Sequence, residues 1–285
     1  MAAVRDYLSL IKFSHSIFAL PFALIAFLVA SNGVLHWEKL GLVVVCMVCA
    51  RAAAMAYNRY ADRHLDAVNP RTAGREIPTG VVSAGGALAL TVVCSLGFLA
   101  ASWGLNWLCF YLAFPVLAVL LGYSHAKRFT DMAHMWLGIS LGLAPVAAWV
   151  ALRGTLDRSL LAPVCLGLGV TLWVMGFDIL YACQDEDFDR ARGLRSIPAR
   201  YGRVAALRIS SVVHLLSVPL FWYFGFLTGS GTAYYVGVAL VAAVLFFEHR
   251  VITPMDMSRV NMAFFTMNGV VSLVMLACTI LDLYV

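Results

Sequence analysis

"YNRYADRHLDAVNPRTAGREIPTG", residues 57–80, places three acids and four arginines between two nearly uncharged apolar runs, 40–55 and 81–101. Its surroundings make that charge conspicuous. The chain has 285 residues, 62% hydrophobic and only 12% charged, about half the charged share of an ordinary soluble domain. So few charges cannot cover a surface in water, and lipid must be the solvent around most of the chain. In lipid the backbone has to satisfy its own hydrogen bonds, so the composition predicts an all-α integral membrane protein. No linker divides it, and residues 1–285 read as a single membrane-embedded domain.

A span needs roughly 20 mostly apolar residues. Runs of that order at 13–31, 40–57, 82–102, 104–123, 132–152, 160–181, 207–227, 232–248 and 261–283 predict nine transmembrane helices. The first run contains Pro21 and follows Arg5 and Lys12. No small-residue cleavage pattern leads from it into a soluble domain, so it reads as an inserted span rather than a signal peptide. With the N-terminus inside, sixteen of the 20 lysines and arginines fall on that side and only Lys39, Arg153 and Arg158 on the other. This is the positive-inside pattern of a cytoplasmic N-terminus, and it places the charged loops at the cytoplasmic face. Arg51 is left within a span. The net charge of +5 therefore reflects topology and anionic headgroups; no stretch resembles a nucleic-acid-binding module. Seven cysteines lie mostly in apolar runs, and Cys46-x-x-Cys49 has no histidines near it in sequence. It reads as packing thiols rather than a redox or zinc pair.

Asn58, Asp62 and Asp66 recur every four residues, one stripe on a helix leaving the second span. A second cluster, "FDILYACQDEDFDRARGLRSIP" (177–198), leaves the sixth span on the same side. At 100° per residue Asp178, Tyr181, Asp185 and Asp189 share a face, Glu186 lies about 80° from Asp178, and Asp187 lies opposite. The clusters are related by an offset of 120 positions, which carries Asn58 to Asp178, Arg75 to Arg195, Ile77 to Ile197 and Pro78 to Pro198. Segments 58–66 and 178–189 thus read as parallel pseudo-repeats.

Acids and arginines that merely solvate loops would account for the cations. They would not account for acids at helical spacing beside apolar helix ends, where unpaired charge is expensive. Two carboxylate stripes suit a hard divalent cation such as Mg²⁺, which bridges a few carboxylates to substrate phosphates. Arg71, Arg75 and Arg195, with Lys127 and Arg128, would meet the remaining phosphate charge. Together they predict a diphosphate site at the cytoplasmic membrane face. A transporter of a charged solute would be expected to place its charges near the bilayer midplane, whereas these acids gather at one face. A CDP-alcohol phosphotransferase would carry a D-x-x-D-G-x-x-A-R signature, which this sequence lacks.

Asn58-x-x-x-Asp62-x-x-x-Asp66, Asp185-x-x-x-Asp189 preceded by Asp178 and Tyr181, and "YSHAKRFT" (123–130) together resemble the UbiA superfamily of intramembrane prenyltransferases, over nearly the whole chain. The resemblance implies nine helices around a central cavity that opens towards the bilayer. It implies that Asn58, Asp62, Asp66, Asp185 and Asp189 hold Mg²⁺, as two ions, on an isoprenyl diphosphate. Lys127 would touch the diphosphate and Tyr123 line the site; Asp178 and Tyr181 match the second motif of members with aromatic acceptors. The implied catalytic set is Asp62, Asp66, Asp185, Asp189, Lys127 and Tyr181. Stabilising the departing diphosphate lets the allylic C–O bond ionise, and aromatic side chains shelter the developing cation. An electron-rich aromatic acceptor then attacks carbon and loses a proton. The implied setting is the inner membrane of a bacterium, with the polyprenyl tail among membrane lipid.

Arg51 precedes Asn58 by seven residues, on nearly the same helix face and roughly 10 Å deeper. An intramembrane Arg calls for an anionic partner: a buried acid such as Asp178, or the carboxylate of a substrate. Its position resembles that in members acting on 4-hydroxybenzoate. Lys12 and His15 in "IKFSHSIFALPFALIAF" (11–27) instead resemble a branch serving menaquinone synthesis through futalosine, whose acceptor is 1,4-dihydroxy-6-naphthoate. Both acceptors are carboxylated phenols, and both remain open at this point.

Overall fold

The computed structural model describes residues 3–11 and 18–285. Lys12, His15 and the start of the first expected span lie outside the described residues. Among those residues the chain is helical, without a strand. Among the described residues eight helices are long and apolar enough to cross a membrane, where the sequence pattern suggested nine. The difference lies in the first run, whose described part is α2, Leu20–Ala30, 11 residues long. The helices follow in chain order: α1 Val4–Leu10, α2, α3 Trp37–Ala61, α4 Arg63–Val68, α5 Ala84–Leu105, α6 Trp107–Gly122, α7 Ala133–Arg153 and α8 Leu161–Ala182. After these come α9 Glu186–Ala191, α10 Ile197–Thr228, α11 Thr232–Val251, α12 Val260–Met262 and α13 Asn268–Tyr284.

The chain forms two compact units, one from residues 1–16 and 41–125, the other from 17–40 and 126–285. In the first, Leu10 and Ile11 pack with Ala52 and Ala56 of α3 and with Val82 and Ala87. Nearer the start of α3, Cys46 packs with Phe98 and Ala101 of α5 and Ala113 and Leu117 of α6. All seven cysteines are free, and Cys46 is the packing thiol its apolar setting suggested.

In the second unit α8 is buried over most of its length, packed between α7 and α10. Glycines permit the approach of α7. A Cβ on Gly138 would stand 2.3 Å from the Thr171 carbonyl oxygen, and one on Gly142 would stand 2.4 Å from that of Gly167. Without side chains there, two backbones can meet closely, the usual route to tight helix packing where lipid removes the hydrophobic drive. α10 starts ten residues before the expected 207, because Ser196 caps it and Pro198 sits in its first turn, where a missing N–H costs nothing. Gly202, with φ of +79°, kinks the helix soon after. A turn of π-helix, Ala263–Met267, leads into α13.

Candidate active site

In both acidic segments a long apolar helix gives way to a six-residue helix with an acid at its N-cap, Asp62 before α4 and Asp185 before α9. In the first unit α3 ends at Ala61, and Asp62 leaves helical geometry with φ −95° and ψ 5°. The helical hydrogen-bond spacing nevertheless persists. The Asp62 amide donates to the Asn58 carbonyl at 2.9 Å and the Asp66 amide to that of Asp62 at 2.8 Å, so the stripe expected from the four-residue spacing is present. The Asn58 side-chain amide donates to Asp62 Oδ2 at 3.1 Å. α4 stops at Asn69, extended with ψ 119°, because the following Pro70 disfavours helical geometry there.

Asp66 is buried, and Arg75 Nη1 donates to its Oδ1 at 2.7 Å. Its Oδ2 is also buried, with no hydrogen-bond partner among the described residues. Arg59, only 6% exposed, lies within electrostatic reach of Asp62, Asp66, Glu76 and Arg75. In the sequence Arg59 is one cation among those of the cytoplasmic side, and its position immediately after Asn58 is the signal that marks it. Arg71 is exposed, its backbone amide held by Asn69 Oδ1 at 3.0 Å. Arg51 is half-buried within α3, with Arg59 in electrostatic reach. Tyr123 is half-buried and opens a 3₁₀ turn, Tyr123–Arg128. His125 in that turn meets the Tyr57 hydroxyl at 2.9 Å.

In the second unit α8 gives way to a 3₁₀ turn, Cys183–Asp185, before α9 begins. The segment is therefore not the single regular helix used to phase its acids. The tightened turn still leaves Asp185 and Asp189 buried and Asp187 exposed, the division that the phase predicted. Glu186, expected off the stripe, is buried too, and pairs with Arg190 at 2.9 Å and Arg203 at 3.5 Å.

Lys127 Nζ donates to Asp189 Oδ2 at 3.4 Å, and Asp178 and Asp185 lie within its electrostatic reach. The Arg195 amide donates to the Lys127 carbonyl at 2.7 Å, and the Arg195 guanidinium to the Phe129 carbonyl at 2.7 Å. Arg195 thus fastens the Lys127 segment through backbone contacts, while Arg128 is exposed. Tyr181 stacks obliquely on Phe264, ring centres 4.3 Å apart, and Phe264 meets Phe177 at 5.3 Å. Asp178 accepts from His134, a residue that the motifs did not single out.

The donors suit a hard cation. Each segment offers carboxylate oxygens, and Asp66 Oδ2 is a buried acceptor with no hydrogen-bond partner among the described residues. Among the described residues no three His, Cys, Asp or Glu side chains form a ready cage.

Residues 19–270 match the model of the UbiA prenyltransferase family. A UbiA homologue from Aeropyrum pernix K1 is 36% identical, covering 94% of this chain and 98% of its own, with a TM-score of 0.86. A UbiA homologue from Archaeoglobus fulgidus bound to GPP and Mg²⁺ shares the fold, with a TM-score of 0.74 at 20% identity over 98% of this chain and 100% of its own. A 4-hydroxybenzoate octaprenyltransferase of Paraburkholderia phytofirmans is 33% identical over 79% of this chain and 77% of the relative. Another, from Vibrio cholerae, is 30% identical over 80% and 78%. With its membrane helices and paired acidic segments, the chain belongs to the UbiA prenyltransferase family and is an integral membrane enzyme that transfers prenyl groups.

Proposed function

We propose that the protein transfers a polyprenyl group from an isoprenyl diphosphate to a carboxylated aromatic acceptor, in Mg²⁺-dependent quinone synthesis at the inner membrane of a bacterium. The observation that carries the reading is Asp66: a buried carboxylate braced by Arg75, with its second oxygen unmatched. Asn58, Asp62 and Asp66, and Asp185 and Asp189, are the proposed ligands of Mg²⁺, taken as two ions. When bound, the ions neutralise diphosphate charge as the allylic C–O bond breaks.

The chain's own groups do the rest. Lys127 and Arg75, each paired with a proposed metal-binding acid, supply compensating positive charge, with Arg71, Arg128 and Arg195 in the outer charge shell. Lys127 contacts the diphosphate in this reading and Tyr123 lines the site. Tyr181 and its aromatic neighbours offer π-faces to the allylic cation. Asp178 belongs to the acceptor side. Arg51 binds the acceptor carboxylate. The active-site loops and N-terminus face the cytoplasm, as the lysine and arginine distribution favours, and chain 1–285 acts as one functional domain.

The names of the relatives favour 4-hydroxybenzoate and ubiquinone synthesis. Lys12 and His15 favour 1,4-dihydroxy-6-naphthoate and menaquinone synthesis as a second reading. The deciding experiment offers the purified protein geranyl diphosphate, Mg²⁺ and each acceptor, and identifies products by mass spectrometry. Prenylated 4-hydroxybenzoate, lost on chelation, is the expected result; prenylated dihydroxynaphthoate alone moves the enzyme to the menaquinone branch. Absence of a prenylated product with either acceptor overturns the proposal.

A further inference from the structure

His134, in the first turn of α7, is fully buried, and both its ring nitrogens are engaged. Nδ1 lies 2.7 Å from Oδ2 of Asp178 on α8, and Nε2 lies 3.4 Å from the backbone nitrogen of Ile197, the first residue of α10. A backbone amide can only donate. Nε2 is therefore the acceptor and carries no proton, so Nδ1–H donates to Asp178. The ring is neutral and held in a single tautomer.

We propose that His134 is a positioning residue for prenyl transfer, setting the Asp178 carboxylate and the start of α10 in one register. The proposal rests on the reading of Asp178 as part of the acceptor side of the site. A carboxylate at a helix end can swing about two torsions, and a buried donor removes that freedom. Because the donor is neutral, it orients Asp178 without cancelling its charge, which stays available to Lys127.

The same contact gives the α10 amide a partner that the helix cannot supply, since the first amides of any helix lack an internal acceptor. The three residues before and at that point, 195–197, are thereby linked to both sides of the cluster. Arg195 holds the Lys127 and Phe129 carbonyls, and Ile197 holds His134, which holds Asp178. An ion pair between Arg200 and Asp131 closes the same corner. Lys127 and Asp178 are indexed to one short segment, and His134 is the only side chain among these links that spans α7, α8 and α10 at once. The close backbone approach at Gly138 and Gly142 keeps α7 against α8.

The test uses the full-length protein in lipid nanodiscs, with ¹⁵N-histidine labelling, and variants His134→Gln and His134→Leu. Subtracting the His134→Gln spectrum isolates the His134 ring. A protonated Nδ1 with a bare Nε2 is expected; an Nε2–H tautomer or a doubly protonated ring overturns the proposal. In kinetics, His134→Leu should lower kcat roughly 10–100-fold, the range for loss of a residue that orients a ligating group. KM for the isoprenyl diphosphate should change less. Glutamine, whose amide can both donate and accept, should recover most of the rate, whereas leucine can do neither. In an Asp178→Asn background the leucine change should cost little more; full additivity overturns action through Asp178. If His134→Leu does not fold, the tautomer and the glutamine variant still decide, since a silent glutamine with the wrong tautomer excludes the role. The expected tautomer with no product from any acceptor sinks the functional reading, and with it any role of His134 in transfer.

Discussion

Arg75 and Asp66 are joined through one carboxylate oxygen, at 2.7 Å, while the other is buried and has no hydrogen-bond partner among the described residues. Leaving a buried acceptor unsatisfied is costly, so the arrangement makes sense if that oxygen meets a cation during turnover. Asp66→Asn should then bind Mg²⁺ weakly, with activity recovered only in part at high Mg²⁺, because the amide keeps the shape and loses the charge. Arg75→Leu should damage Asp66 placement and raise KM for the isoprenyl diphosphate. Mg²⁺ titration of initial rates in both variants checks this; an unchanged Mg²⁺ requirement in Asp66→Asn removes Asp66 from the metal site.

Asp62→Ala and Asp185→Ala should each nearly abolish product formation in well-folded protein, with losses of roughly 10²–10³ in kcat, the scale for removing one strong electrostatic contact to a transition state. Product yield at saturating Mg²⁺, beside thermal unfolding of each variant, is the measurement. Near-normal turnover in either folded variant ends the assignment for that segment.

Asp187→Ala should be far milder than Asp189→Ala. Asp187 is exposed, whereas Asp189 is buried and paired with Lys127. Removing the buried Asp189 carboxylate takes an anion away from the half-buried Lys127 ammonium, so Asp189→Ala should reduce both activity and thermal stability. Equal losses for the two variants would refute this division of roles.

Spacing predicted that Asp187 would face away from Asp185 and Asp189, although it assumed a regular helix where the chain makes a 3₁₀ turn. The prediction survived because the tightened turn is brief and α9 resumes the phase. The stripe from Asn58 to Asp66 was legible for a similar reason: backbone hydrogen bonds four residues apart persist across the end of α3. His134 and Arg59 were not legible. Their partners are set by tertiary packing, and the bond between His134 and Asp178 crosses 44 positions. The early start of α10 was written in Ser196 and Pro198, but the charged residues behind them hid it from a search for apolar runs.

Gly142→Leu should destabilise the second unit without touching a proposed ligand. Its Cβ would stand 2.4 Å from the Gly167 carbonyl oxygen, and a backbone atom on a packed helix cannot step aside as a flexible side chain would. Overpacking of this kind costs about 1–3 kcal/mol or more. A clear fall in the thermal unfolding midpoint in detergent is expected, with Gly154→Ala as the contrasting case: a Cβ there meets nothing within 4 Å, and the only penalty comes from its φ of +70°. If Gly142→Leu melts with the wild type, α7 and α8 are not held as closely as described.

Arg51 poses the question of acceptor charge. It is half-buried in α3, seven residues before Asn58, and another buried cation, Arg59, lies within its electrostatic reach. The two like charges repel each other, and the carboxylate of a bound acceptor would offset part of that repulsion. Arg51→Leu should therefore weaken binding of 4-hydroxybenzoate by roughly one to two decades, the equivalent of about 1.5–3 kcal/mol for a charged hydrogen bond, while sparing affinity for the isoprenyl diphosphate. Phenol, lacking the carboxylate, should bind the wild type poorly and be almost indifferent to the substitution. Measuring both acceptors against both proteins separates lost recognition from lost structure, since a misfolded variant would lose diphosphate binding as well. If Arg51→Leu impairs diphosphate binding alone, Arg51 belongs with the phosphate-facing cations, and the case for a carboxylated acceptor rests on the relatives' names alone.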